Sequence, residues 1–105
     1  MGSNVRHEDA EVRRVTRFEV SYFATGEHKN LGKIVLPVVN ISATGIMVNG
    51  KAGLERGDIV LLRLPSAEDV RALCLWTWHQ LAGLQFDRPL HPSTLTSIVD
   101  AMRAV

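Results

Sequence analysis

With 105 residues, the chain has room for one small domain and a single core. A hydrophobic share of 46% beside 22% charged residues excludes a disordered chain, and a net charge of +1 lacks the basic face that a general nucleic-acid binder needs. No run approaches the ~20 apolar residues that cross a bilayer, and the first residues lack the apolar stretch of a secretory leader, so we expect a cytoplasmic protein with no membrane insertion.

Residues 1 to 12 show no apolar periodicity and are expected to form a flexible N-terminal arm, with the domain itself over 13 to 105. Phe18, Val20 and Tyr22 alternate with polar neighbours, the period of a half-buried strand. Gly26 to Asn30 supplies turn residues, and Lys33 to Val39 reads as a second strand, with Pro37 expected at an edge or bulge. Ile46 to Val48 gives a third strand. Asn49-Gly50 and Gly53 to Asp58 are turn-forming, and a fourth strand runs from Ile59 to Leu64.

Val70 to Trp78 gives the fifth strand, in which Val70, Ala72, Cys74, Trp76 and Trp78 share one face. That continuous apolar row reads Trp76 and Trp78 as core or barrel-rim residues rather than ligand stackers. The lone cysteine, Cys74, lies inside the same run, where a buried structural thiol is expected. Leu81 to Phe86 is the sixth strand. After Pro89 the period changes: Leu95, Ile98, Val99 and Met102 follow the spacing of an amphipathic helix, and Pro92 and Ser93 suit its start. Short strands at this spacing suggest a barrel or sandwich, with the helix laid over an open end.

Two motifs stand out from this framework. Residues 12 to 17 hold three arginines and no acid, as Arg13-Arg14-Val15-Thr16-Arg17, which reads R-x-x-x-R. Asn40-Ile41-Ser42-Ala43-Thr44-Gly45 reads N-x-S-x-x-G. In this order, with strands on either side of the second motif, the chain resembles the PilZ family, receptors for the bacterial second messenger cyclic di-GMP. The likeness runs from about Glu11 to Phe86. It includes the strand segment Leu73-Cys74-Leu75-Trp76 and the Gly-x-x-Phe segment Gly83-Leu84-Gln85-Phe86.

The resemblance implies an all-β fold, a six-stranded antiparallel PilZ-type β-barrel with a C-terminal helix. It also implies cyclic di-GMP as ligand, held by Arg13, Arg14, Arg17, Asn40, Ser42 and Gly45, and a downstream protein partner that reads the bound state. Val12 stands where relatives that bind a stacked ligand dimer carry a further arginine, which favours one ligand per protein.

The chemistry of those residue types fits such a ligand. Guanine presents O6 and N7 as adjacent acceptors, which a guanidinium meets with two parallel hydrogen bonds. Arg13 and Arg17 can serve phosphate or guanine. Asn40 can accept from guanine N1–H and N2–H, Ser42 can reach a phosphate, and Gly45 admits close approach. Each also has a plainer reading: solvated charge for the arginines, turn-forming hydrogen bonds for Asn40 and Ser42, and a positive φ for Gly45.

Other readings find little support. Ser42 lacks the flanking glycine of a nucleophile elbow, and no catalytic set emerges, so an enzyme is not expected. His7, His28, His79 and His91 are scattered, without metal-ligand spacing, and no cofactor is expected. Asn40-Ile41-Ser42 matches a glycosylation sequon that matters only in a secreted chain. The main alternative keeps the fold and drops the ligand, giving a PilZ-like adaptor that binds proteins directly.

Overall fold

Inward apolar residues on alternating positions allow the strands of this chain to close on themselves around a common core. In the computed structural model, which describes residues 15–50 and 53–104, six strands do so. They are β1 (Phe18–His28), β2 (Gly32–Ile41), β3 (Gly45–Asn49), β4 (Ile59–Arg63), β5 (Val70–Trp78) and β6 (Leu81–Phe86), followed by helix α1 (Pro92–Arg103). All neighbouring pairs are antiparallel, and the barrel closes in the order β1-β2-β3-β6-β5-β4. The six-stranded antiparallel barrel with a following helix is therefore as the sequence led us to expect.

The core is a single cluster. Leu36, Val38 and Ile41 of β2, Val48 of β3, Val60 and Leu62 of β4 and Cys74 of β5 are buried with Leu95, Ile98, Val99 and Met102 of α1. The helix thus supplies its apolar stripe to the barrel core, packing against β1. Pro92 occupies its first turn, where a missing amide hydrogen costs nothing. The His91 ring caps it, Nδ1 accepting from the Ser93 amide at 3.1 Å. At the other end Arg103 donates from Nε and Nη2 to the Glu19 carbonyl, at 3.2 and 2.8 Å, and its guanidinium stands 6.0 Å from the Phe18 ring.

Two elements differ from the sequence reading. Strand β1 continues through Gly26 to His28, beyond the expected turn at Gly26. A Cβ at Gly26 would lie 2.7 Å from a Val60 methyl, so this glycine marks the close approach of β1 to β4 rather than a turn. Pro37 lies inside β2, opposite Phe23 and just beyond Val38, the last residue of β2 paired with β3 on that side. There its missing amide hydrogen costs no ladder bond.

The second difference concerns the tryptophans. The β5–β6 register slips between Cys74 and Trp76, a bulge at Leu75. An extra residue reverses every later side chain. Cys74 stays inside, its thiol donating to the Trp76 carbonyl at 3.6 Å, whereas Trp76 and Trp78 turn outward and are 39% and 64% exposed. The expected shared face with Ala72 and Cys74 is thereby overturned, and of the two positions expected for the tryptophans, core or barrel rim, the core one is excluded.

Candidate functional site

Register builds the site. Glu19 of β1 lies opposite Asn40 of β2, Asn40 opposite Met47 of β3, Met47 opposite Gly83 of β6, and Gly83 opposite Trp76 of β5. These residues form one outward row across five strands. At the ordinary strand spacing of about 4.8 Å, Asn40 and Trp76 stand roughly 14 Å apart, within reach of one extended ligand. Bulges interrupt the ladder between Glu19 and Tyr22, between Val38 and Asn40, and between Cys74 and Trp76. Each falls on this row, where a bulge re-aims a side chain that regular pleating would point elsewhere.

Arg17 enters the row from its β1 end. Its side chain is exposed, and Nη1 donates to Asn40 Oδ1 at 3.5 Å, the outer limit of a hydrogen bond. The Asn40 amide nitrogen faces Met47 Sδ at 4.0 Å. Both groups are therefore weakly engaged, and a ligand could claim them at little cost. Arg17 also lines a cavity of about 130 Å³ with Thr44, Gly45, Trp76, Gly83 and Gln85, and no carboxylate is among the lining residues. Sites that enclose small molecules are commonly 300–1,000 Å³, so this is an open shelf that covers only part of any nucleotide.

Ser42 and Gly45 both line the shelf, and each has a structural reason to be there. Ser42 lines the same shelf and is 2% exposed. Its Oγ accepts from the Thr44 amide at 3.2 Å and lies 3.2 Å from the Thr44 hydroxyl and 3.5 Å from the Gly45 carbonyl. Its hydroxyl shapes the turn. The Ser42 amide donates to the Gly45 carbonyl at 2.8 Å, which closes the β2–β3 connection. Gly45 has no left-handed φ; a Cβ there would run into the Leu84 carbonyl oxygen of β6. Its lack of a side chain serves strand packing.

Trp76 is the residue that the sequence reading missed. Its indole sits against Gly83, so that a Cβ on Gly83 would strike the ring, and Trp76 lines the shelf. The signal was present in Gly83, since a glycine inside a strand marks a close approach. Arg13 and Arg14 lie outside the described residues.

A larger groove of about 550 Å³ opens elsewhere, between the β4–β5 turn and the link from β6 to α1. Glu68, Asp69 and Asp87 line it, and Asp87 stands 3.9 Å from Arg71. Arg71 and Arg88 line it too, so its three carboxylates are largely offset and it lacks the acid-free lining of the shelf. Among the described residues no cluster of three potential metal ligands occurs, and no helix is long and apolar enough to cross a membrane.

No protein-family model matches the chain, and no curated protein matches it either.

Proposed function

We propose that this chain is a cytoplasmic cyclic di-GMP receptor of the PilZ type. The observation that carries this reading is the meeting of Arg17 and Asn40, 23 residues apart in sequence, beside a shelf that Arg17 lines together with Trp76 and no carboxylate. Arg17 reads a guanine edge or a phosphate, Asn40 accepts from guanine N1–H and N2–H, and a purine stacks on Trp76. Gly45 and Ser42 shape the floor. Arg13 and Arg14 complete the site from the segment before Arg17, and they supply the coverage that a 130 Å³ shelf lacks. Ordering of this arginine segment over the nucleotide then changes the surface offered to a downstream protein partner.

The shallow shelf and the engaged Ser42 hydroxyl favour one other reading, a PilZ-like adaptor that binds proteins and no nucleotide. Nuclear magnetic resonance separates the two. Added cyclic di-GMP is expected to shift the amides of Arg17, Asn40, Gly45 and Gly83 and the Trp76 indole N–H, leaving β4 unmoved. A spectrum unchanged at saturating nucleotide supports the adaptor.

A further inference from the structure

We propose that the second half of β5, from Leu75 to Trp78, is an open edge at which a second copy of this chain docks by antiparallel strand pairing. Among the described residues β5 pairs with β4 only as far as Leu73. The Gly57 amide donates to the Cys74 carbonyl, and the Cys74 amide donates to the Asp58 carbonyl, both at 2.8 Å, and among the described residues no main-chain bond to β4 or its leading loop follows beyond Cys74. From Trp76 to Trp78 the described pairing is with β6 alone. A barrel that is closed over most of its length thus carries, among the described residues, a short strand edge on which alternate residues turn their main-chain donors and acceptors away from β6.

The side chains on this edge are apolar. Leu75, Trp76 and Trp78 are 43%, 39% and 64% exposed, and nearby Ile59 of β4 is 42% exposed. No charged residue or proline stands between Leu73 and Trp78 to blunt the edge, and only the Leu75 bulge limits its length. A second copy fits these features. Two identical edges related by a twofold axis each supply the donors and acceptors that the other lacks, and an uncharged edge puts no like charges opposite one another.

Area sets the strength. With aromatic side chains of 150–250 Å² each and aliphatic ones somewhat smaller, these exposures leave about 400 Å² of apolar surface per copy, half of the ~800 Å² per partner that a stable interface buries. The dimer is therefore weak and visible only at high concentration. It does not depend on nucleotide binding, and because Trp76 borders the proposed nucleotide shelf, the variant that tests it is placed at Trp78.

Sedimentation velocity of the wild-type chain from about 10 µM to about 1 mM is expected to pass from monomer to dimer, a range that brackets weak association. Trp78→Lys, which sets an uncompensated charge against the apolar Leu75 end of the other copy's edge, is expected to remain monomeric throughout. Hydrogen exchange on the wild-type chain gives a second reading that does not need the variant to fold: amides of Trp76 to Trp78 slow as concentration rises, whereas those of β2 do not. A wild-type chain that stays monomeric at the upper concentration, a Trp78→Lys chain that dimerises as the wild type does, or exchange independent of concentration at Trp76 to Trp78 overturns the proposal.

Discussion

Arg17 shows how one residue can matter for binding and hardly at all for stability. It is exposed and makes a single long contact with Asn40, so its removal takes almost nothing from the fold. A hydrogen bond from a charged donor to a ligand is worth about 1.5–3 kcal/mol, which is more than tenfold in affinity. Arg17→Ala is accordingly expected to weaken cyclic di-GMP binding at least tenfold by calorimetry, with the thermal midpoint of the empty protein shifted by no more than a degree or two.

The two glycines of the site separate in the same way. The neighbour of Gly45 is the main-chain oxygen of Leu84, which cannot give way, so Gly45→Ala is expected to destabilise the fold by about 1–3 kcal/mol in urea titration. At Gly83 the obstacle is the exposed Trp76 ring, which can swing aside. Gly83→Ala is expected to fold while moving the Trp76 indole resonance, and to lose roughly tenfold in nucleotide affinity as the stacking platform is displaced. Unchanged affinity in that variant would remove Trp76 from the site. Gly45 and Gly83 were both visible in the sequence, but what each glycine makes room for depends on strand register, which no short motif encodes.

Most strands followed from period and turn residues, β1 running past its expected turn excepted, and β6 and α1 fell where the sequence placed them. The bulge at Leu75 could not be read that way. Leu73-Cys74-Leu75-Trp76-Thr77-Trp78 alternates in a manner compatible with one uninterrupted face, and only pairing with β6 reveals the extra residue. His28 gives a second example. As one of four scattered histidines it carried no signal, yet it is buried at the end of β1 and joins two loops. Its Nδ1 accepts from the amides of Asn30 and Leu31, at 3.0 and 2.9 Å, which leaves Nε2–H to donate to Asp58 Oδ2 at 2.8 Å.

Asp58 Oδ2 also accepts from the Glu55 amide at 2.9 Å. That backbone hydrogen bond, followed by the one from His28, holds the Asp58 carboxyl below its ordinary value of 3.8. Between the lowered folded value and 3.8 the unfolded chain binds more protons than the folded one, so stability rises with pH across that window. The contribution is present above pH 4 or so and is lost as pH falls through the folded pKa. Urea denaturation at stepped pH is expected to show a steeper acid loss in wild type than in Asp58→Asn, whose side chain does not titrate. Parallel acid limbs would show that the β1–β2 hairpin and the 53–58 loop are not joined through this carboxylate.

Across the whole molecule, three bulges and one row of register partners bring the start of β1, the end of β2 and the middle of β5 to a single face. Barrel closure carries that face across neighbouring strands, and Arg17 lines the shelf there. Recognition of guanine as well as of phosphate is therefore expected. On adenine an amino group replaces the O6 acceptor, and Asn40 loses both of its donors. Each polar group left unpaired costs about 1–3 kcal/mol. Calorimetric titration of the same preparation with cyclic di-GMP and with cyclic di-AMP tests this most directly: saturable one-to-one binding of the first and binding at least a hundredfold weaker of the second are expected, whereas no heat with either, or equal affinity for both, would contradict the account.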